Sequence, residues 1–263
     1  MKTLSKSHAK IGRLPRSLLA AGLLAIPTLS HAADTLYKTP LNDTGLTTCY
    51  YYNIGADSCP VPELPGQDAE YGRDKTHNDK TDGRAGFSFT KINRKGQAVA
   101  AKARSWNCVK DNVTGLMWEV KTNDRSLHGR RWTYSWYQPD NQINGGDAGL
   151  ENGGKCYRNL GCDTYHYVAQ VNQQGWCGYQ DWRLPTMEEL ANVSDFSGLG
   201  RVGFSVVPDV KYFPDAKMAD VTYWSSTPSN DSSAWYAGYD YFKFGAEDKK
   251  TERHHVRLVR GGQ

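Results

Sequence analysis

The chain has no C-x-x-C pair and no Cys/His cluster at zinc spacing, and no cysteine follows Cys177. A compact thiol-redox or zinc motif is therefore excluded on spacing. G-x-S-x-G, H-E-x-x-H and Gly-rich phosphate-loop strings are also missing, so the common hydrolase, metalloprotease and nucleotide signatures are not available. No apolar run is long enough to cross a bilayer, the N-terminal one over 17–29 included, and there is no heptad and no collagen period. Phenylalanine is scarce, with 7 residues against 16 Tyr and 8 Trp, so most aromatic surface has an apolar body and a polar tip. The rest is ordinary globular composition: 263 residues, 23% charged, mean hydropathy −0.68.

The formal charge of +4 misleads. Lys2, Lys6, Lys10, Arg13 and Arg16 precede an apolar stretch over 17–29, and Ser30-His31-Ala32 follows as a small-x-small site. This pattern predicts a secretory signal peptide over 1–32. Without it, 27 basic residues face 28 acidic ones and the net charge becomes −1. A global electrostatic case for nucleic acid disappears, and the expected location is periplasmic, extracellular or at the cell surface. Six cysteines then lie in an oxidising compartment, which favours disulfides. Short spacing favours Cys49–Cys59 and Cys156–Cys162 and leaves Cys108–Cys177, although six cysteines permit about 15 pairings.

Residues 33–105 read as an irregular lead-in, dense in Gly, Pro and Asp, expected to pack on the main body or to act as a stalk. A patterned domain follows over 106–263. Thr114–Val120 reads as a turn and a strand. Asp163–Gln174 reads as a helix with Gly175 as its C-terminal cap. Thr186 and Glu189 form a capping box for a second helix ending near 195–198. A loop over 198–220 leads to strands at Val221–Ser226, Ala234–Tyr241 and His255–Val259. The fold class is α+β, with small antiparallel sheets flanked by two helices.

Four strings occur in order: Asp111-Asn112-Val113-Thr114-Gly115-Leu116-Met117-Trp118, Gly178-Tyr179-Gln180-Asp181-Trp182-Arg183-Leu184-Pro185-Thr186, Tyr223-Trp224-Ser225-Ser226, and Val256-Arg257-Leu258-Val259-Arg260-Gly261-Gly262. Together they closely resemble the Lcl C-terminal domain family, over about 106–262. The resemblance implies a C-type-lectin-like fold of the variety shared with formylglycine-generating enzymes. It also implies a surface role, since the family's eponymous member is an adhesin that binds sulfated glycosaminoglycans. The reactive late cysteines of the formylglycine-generating enzymes have no counterpart after Cys177. The motif residues Trp118, Trp182, Leu184 and Trp224 read as core, and Asp181, Arg183, Arg257 and Arg260 as ion-pairing groups.

The candidate ligand surface is the C-terminal segment, with Trp235, Tyr236, Tyr239, Tyr241, Lys243, Lys249, Lys250 and Arg253. Aromatic faces cover sugar rings and cations pair with sulfates or carboxylates. The competing reading is a solvated hairpin with its aromatics turned inward. Gln138-Pro139-Asp140 matches a lectin tripeptide but precedes the first helix and lacks its partner motif, so it reads as coincidence. Asp140, Gln142, Asn144, Gly145 and Glu151 follow a calcium-loop spacing, but Gln at the third position and Asp147 at the eighth favour a plain surface loop without a metal. No cofactor is expected. The sequence thus predicts an exported, non-enzymatic recognition protein for a glycan or a surface protein, without nucleic acid and without an integral membrane segment. A secreted enzyme with an unrecognised site, or a structural subunit of a surface assembly, are the alternatives.

Overall fold

The computed structural model describes residues 42–51, 54–55, 59–77, 79–198, 206–217, 221–238 and 244–262. The expected signal peptide lies outside the described residues.

The chain is mixed α+β. A short ribbon pairs β1 (Tyr50–Tyr51) with β2 (Ile54–Gly55), and a single turn of helix, α1, covers Asp68–Tyr71. Next come β3 (Phe89–Ile92), β4 (Cys108–Asp111) and β5 (Met117–Glu119). The helices α2 (Thr164–Gln174) and α3 (Met187–Asn192) follow, then β6 (Thr222–Pro228), β7 (Ser233–Gly238), β8 (Phe244–Lys249) and β9 (Val259–Arg260). Two antiparallel sheets result, in the orders β3-β4-β5-β9 and β6-β7-β8. Among the described residues, no helix is long and apolar enough to cross a membrane.

Part of each sheet lies between two apolar clusters, which the side chains record. In β5, Met117 enters one apolar cluster and Trp118 the other; Leu258 and Val259 divide the same way, as do Trp224 and Tyr223. Successive strand residues point to opposite faces, so a strand between two cores carries an unbroken apolar run rather than an alternating one. One cluster is built on Tyr167 and Val171 of α2 with Trp136, Trp176, Trp182 and Trp224. The other packs Phe87, Phe89, Trp118, Leu190 and Phe213.

The lead-in is part of this construction. Its β3 pairs with β4, Phe89 facing Asp111 and Ile92 facing Cys108. Asn42 ties the chain further in, donating from Nδ2 to Asp111 Oδ2 at 2.7 Å and from its backbone to Asn192 Oδ1 at 2.6 Å. A satellite cluster of Cys49, Val61 and Ala69 lies in the lead-in, beside the two main clusters.

Helix ends follow the local code. Asp163 caps α2 by accepting from His166 N at 2.9 Å, and Gly175 ends it at φ 65°, a left-handed geometry that glycine adopts without a Cβ penalty. Thr186 and Glu189 form the reciprocal capping box of α3. Thr186→Ala should cost about 1 kcal/mol, read by urea unfolding; no measurable loss would mean that the Arg183–Glu189 pair alone fixes the helix start. The helix is shorter than the sequence suggests, ending at Asn192, with a separate 3-10 turn at Phe196–Gly198. The strand expected over His255–Val259 is broken. His254 and His255 bridge to Tyr134 and Tyr223, whereas Val259 pairs with Trp118, so the chain crosses between sheets over 256–258.

All three sulfur pairs form as spacing favoured: Cys49–Cys59, Cys108–Cys177 and Cys156–Cys162. The four sequence strings hold the fold. Asp111 Oδ1 closes the turn before β5 by accepting from Val113 N and Thr114 N. Trp118, Trp182 and Trp224 are buried. Asn172 of α2 grips the backbone of Trp182 from both sides, at 2.7 and 2.8 Å. Arg260 pairs with Asp181 at 2.7 Å, and Arg257 reaches Asp215 in the interior.

Candidate functional site

An open cleft of about 540 Å³ lies where five chain segments meet. Trp136, buried, forms its floor together with Val168 and Leu184. Trp136 is fixed by its indole Nε1, which donates to Ser225 O at 2.9 Å. Tyr137, Ile143 and Tyr165 form the walls, and Ile143 and Tyr165 remain 56% and 45% exposed. A second depression of about 510 Å³ shares Ile143 and Ser226 with the first and runs on to Pro228.

The first turn of α2 places Tyr165 and Val168 on one flank, three residues apart, while Tyr167 and Val171 point into the core. Thr164 locks this turn to the opposite wall: its Oγ1 donates to Tyr137 O and accepts from Tyr137 N, both at 2.9 Å. Tyr137 and Tyr165 stand nearly perpendicular, with centroids 6.2 Å apart. His166 backs both rings, parallel to Tyr137 and edge-on to Tyr165. Its Nδ1 lies 2.9 Å from Asp163 Oδ2, so the ring's orientation is set by the same carboxylate that caps the helix.

The polar edge is formed by Gln138, Thr186, Ser226 and the Arg183–Glu189 pair. Arg183 makes a two-pronged contact with Glu189, at 2.6 and 2.7 Å, and also donates to Gly261 O at 3.0 Å. The ionised groups of this lining are therefore spent on each other, leaving a cleft with aromatic walls, hydroxyls and amides but little net charge. Among the described residues, no group of three His, Cys, Asp or Glu side chains is arranged to hold a metal ion.

Of the C-terminal residues singled out from sequence, the described ones divide between the interior and the surface. Tyr236 is 8% exposed, with its ring stacked on His254 at 4.2 Å. Lys250 is 1% exposed and faces inward. Trp235 is half-buried on β7 opposite Glu247, and Lys249 and Arg253 are exposed. Tyr239, Tyr241 and Lys243 lie outside the described residues. In the loop with calcium-like spacing, Asp140 and Asp147 turn their carboxylates to the backbone amides of Gln142 and Gly149, at 2.9 and 2.7 Å. Glu151 faces His166 at 3.8 Å.

Sequence reasoning missed Tyr137, Ile143 and Tyr165. The one local signal was an aromatic on the first turn of α2, off the core-facing stripe. The cleft itself joins residues near 136–143, 164–168, 183–189, 226 and 262, which no spacing along the chain reveals.

Two further interior features bear on electrostatics. Glu119, with no exposed surface, accepts at Oε1 from Lys121 Nζ at 3.0 Å, faces His128 Nδ1 at 2.7 Å, and takes the Tyr167 hydroxyl. Its Oε2 accepts from Leu258 N at 3.1 Å. Burial alone would push this carboxyl up, but Lys121, His128 and Tyr167 outweigh it and bring the pKa down to about 2. On Lys121, which has fewer partners, burial wins and the pKa is lowered.

These features define a class: a disulfide-stapled α+β domain with an open, aromatic-walled cleft at the junction of α2, α3 and β6. The chain belongs to the Lcl C-terminal domain family, whose model matches residues 107–260. No curated protein and no solved structure matches it.

Proposed function

We propose that the chain is an exported recognition protein that binds a glycan in the cleft between α2, α3 and β6. The carrying observation is the chemistry of that cleft. Perpendicular Tyr137 and Tyr165 rings offer apolar faces to sugar rings, and Gln138, Thr186 and Ser226 offer hydrogen bonds to hydroxyls. The three disulfides support export, since such bonds persist in oxidising compartments. The lectin-like architecture implied by family membership is in keeping with this reading, although fold alone does not assign a ligand. Because Arg183 is neutralised by Glu189, the preferred glycan at the cleft is uncharged rather than sulfated.

The test is a glycan array with the oxidised protein at two ionic strengths, followed by titration of a hit with variants. Tyr165→Ala should weaken binding about 10- to 100-fold, while Lys249→Ala and Arg253→Ala leave it unchanged. Affinity should vary little with salt. Salt-sensitive binding lost in the Lys249 and Arg253 variants but kept in Tyr165→Ala would overturn the cleft and return the ligand to the outer β7–β8 face.

A further inference from the structure

The loop that carries Ile143 into the cleft is held by an ammonium. Lys250 Nζ donates to Asn144 O at 2.7 Å, Asp147 O at 2.7 Å and Asp231 O at 2.6 Å. All three of its N–H donors are thereby used on main-chain carbonyls from two separate turns. The side chain lies over the Trp136 ring, with Nζ 4.8 Å from the centroid. Its backbone is fixed as well, accepting from Trp136 N and donating to Ser232 O, both at 2.9 Å. The loop is shaped around this point. Asn144 is buried, with its amide bonded to Gln138 O and Asn141 Oδ1, and Gly145 takes φ 73° where a Cβ would meet Pro228 at 2.7 Å.

We propose that the 140–151 loop and the 230–232 turn form a cation site whose cation is the ammonium of Lys250. Two of the three carbonyls, those of Asn144 and Asp147, belong to the loop whose spacing resembles a calcium loop. The carbonyls of the fifth and eighth residues turn inward, and a lysine from a distant strand end supplies the charge. Lys250 is a positioning residue: it ties the Ile143 wall of the cleft to the β6–β7 turn, independently of what the cleft binds. A small cation able to donate hydrogen bonds should refill the site when the side chain is cut back. Propylammonium has the atoms that Lys250→Ala removes.

The experiment uses the oxidised chain and follows amide hydrogen exchange at Gly146, Gly149 and Leu150. Lys250→Ala and Lys250→Met should both speed exchange there about 10- to 100-fold, because charged hydrogen bonds are lost in each. Propylammonium chloride should restore protection in Lys250→Ala. Tetramethylammonium, which has charge but no N–H, should not, and Lys250→Met, whose stem fills the space, should not respond. Parent-like protection in Lys250→Met would overturn the proposal by showing that the stem alone holds the loop. Loss in Lys250→Ala that propylammonium fails to restore would overturn it too. If Lys250→Ala does not fold, Lys250→Met decides alone, with loss supporting the proposal and retention overturning it.

Discussion

Glu119→Gln is expected to remove about 3–5 kcal/mol of folding stability, the loss typical when one partner of a buried ion pair is deleted. Glu119 sits between the two cores, in β5, and its carboxylate serves Lys121, His128, Tyr167 and the amide of Leu258 together. Without that charge the Lys121 ammonium, also buried, keeps the Tyr167 hydroxyl at 2.7 Å but loses the carboxylate that pairs with it. The sign with pH follows from the lowered pKa. The folded value of about 2 lies below the ordinary 4.5, so this stabilisation is fully present above about pH 4.5 and is lost as pH falls toward 2. Its size over that window is of order 3 kcal/mol. Urea titrations of both proteins between pH 2 and 7 check it: the difference between parent and variant should shrink toward low pH. A difference under about 1 kcal/mol at pH 7, or one constant with pH, would show that the network is held by its neutral hydrogen bonds.

The parts of the fold legible in sequence are those whose cause is local. Asp163, Gly175, Thr186 and Glu189 each act within four residues of what they cap, so both helices could be placed before any tertiary contact was known. The tandem Lys249-Lys250 shows why the site could not. The two residues are identical in type and adjacent, yet Lys249 is exposed on β8 and Lys250 is buried among carbonyls of distant turns. Neighbours at a strand end point opposite ways, and only the rest of the fold decides which side is the interior. The same limit hid β8, whose Phe-Gly-Ala-Glu-Asp-Lys composition has little strand propensity and which forms by pairing with β7. It hid β3 as well, since a lead-in rich in Gly and Pro gives no sign that Phe87 and Phe89 complete a core assembled mainly from later residues.

The Cys108–Cys177 bridge should carry more stability than the shorter Cys156–Cys162 clip, and it should also govern the cleft. Its cysteines are 69 residues apart, against 6 for the clip. Chain entropy assigns about 4 kcal/mol to the long loop and about 2 to the short one. Both ends of the long bridge have no exposed surface, Cys108 in β4 and Cys177 in the 3-10 turn that follows α2. That turn anchors the C-terminal end of the helix whose first turn presents Tyr165. With the bridge replaced by Cys108→Ala/Cys177→Ala, α2 keeps its caps and its Tyr167 and Val171 contacts but loses its covalent tie to the sheet. Denaturant midpoints should therefore fall more than in Cys156→Ala/Cys162→Ala, and exchange of the α2 amides should rise toward the global rate. Ligand affinity at the cleft should fall in the long-bridge variant even where the protein remains fully folded, because the Tyr165 wall is less fixed. Equal losses from the two double variants would mean that native packing, rather than loop closure, sets the value of each bridge. An unchanged α2 would mean that Asn172's grip on Trp182 is enough to seat the helix.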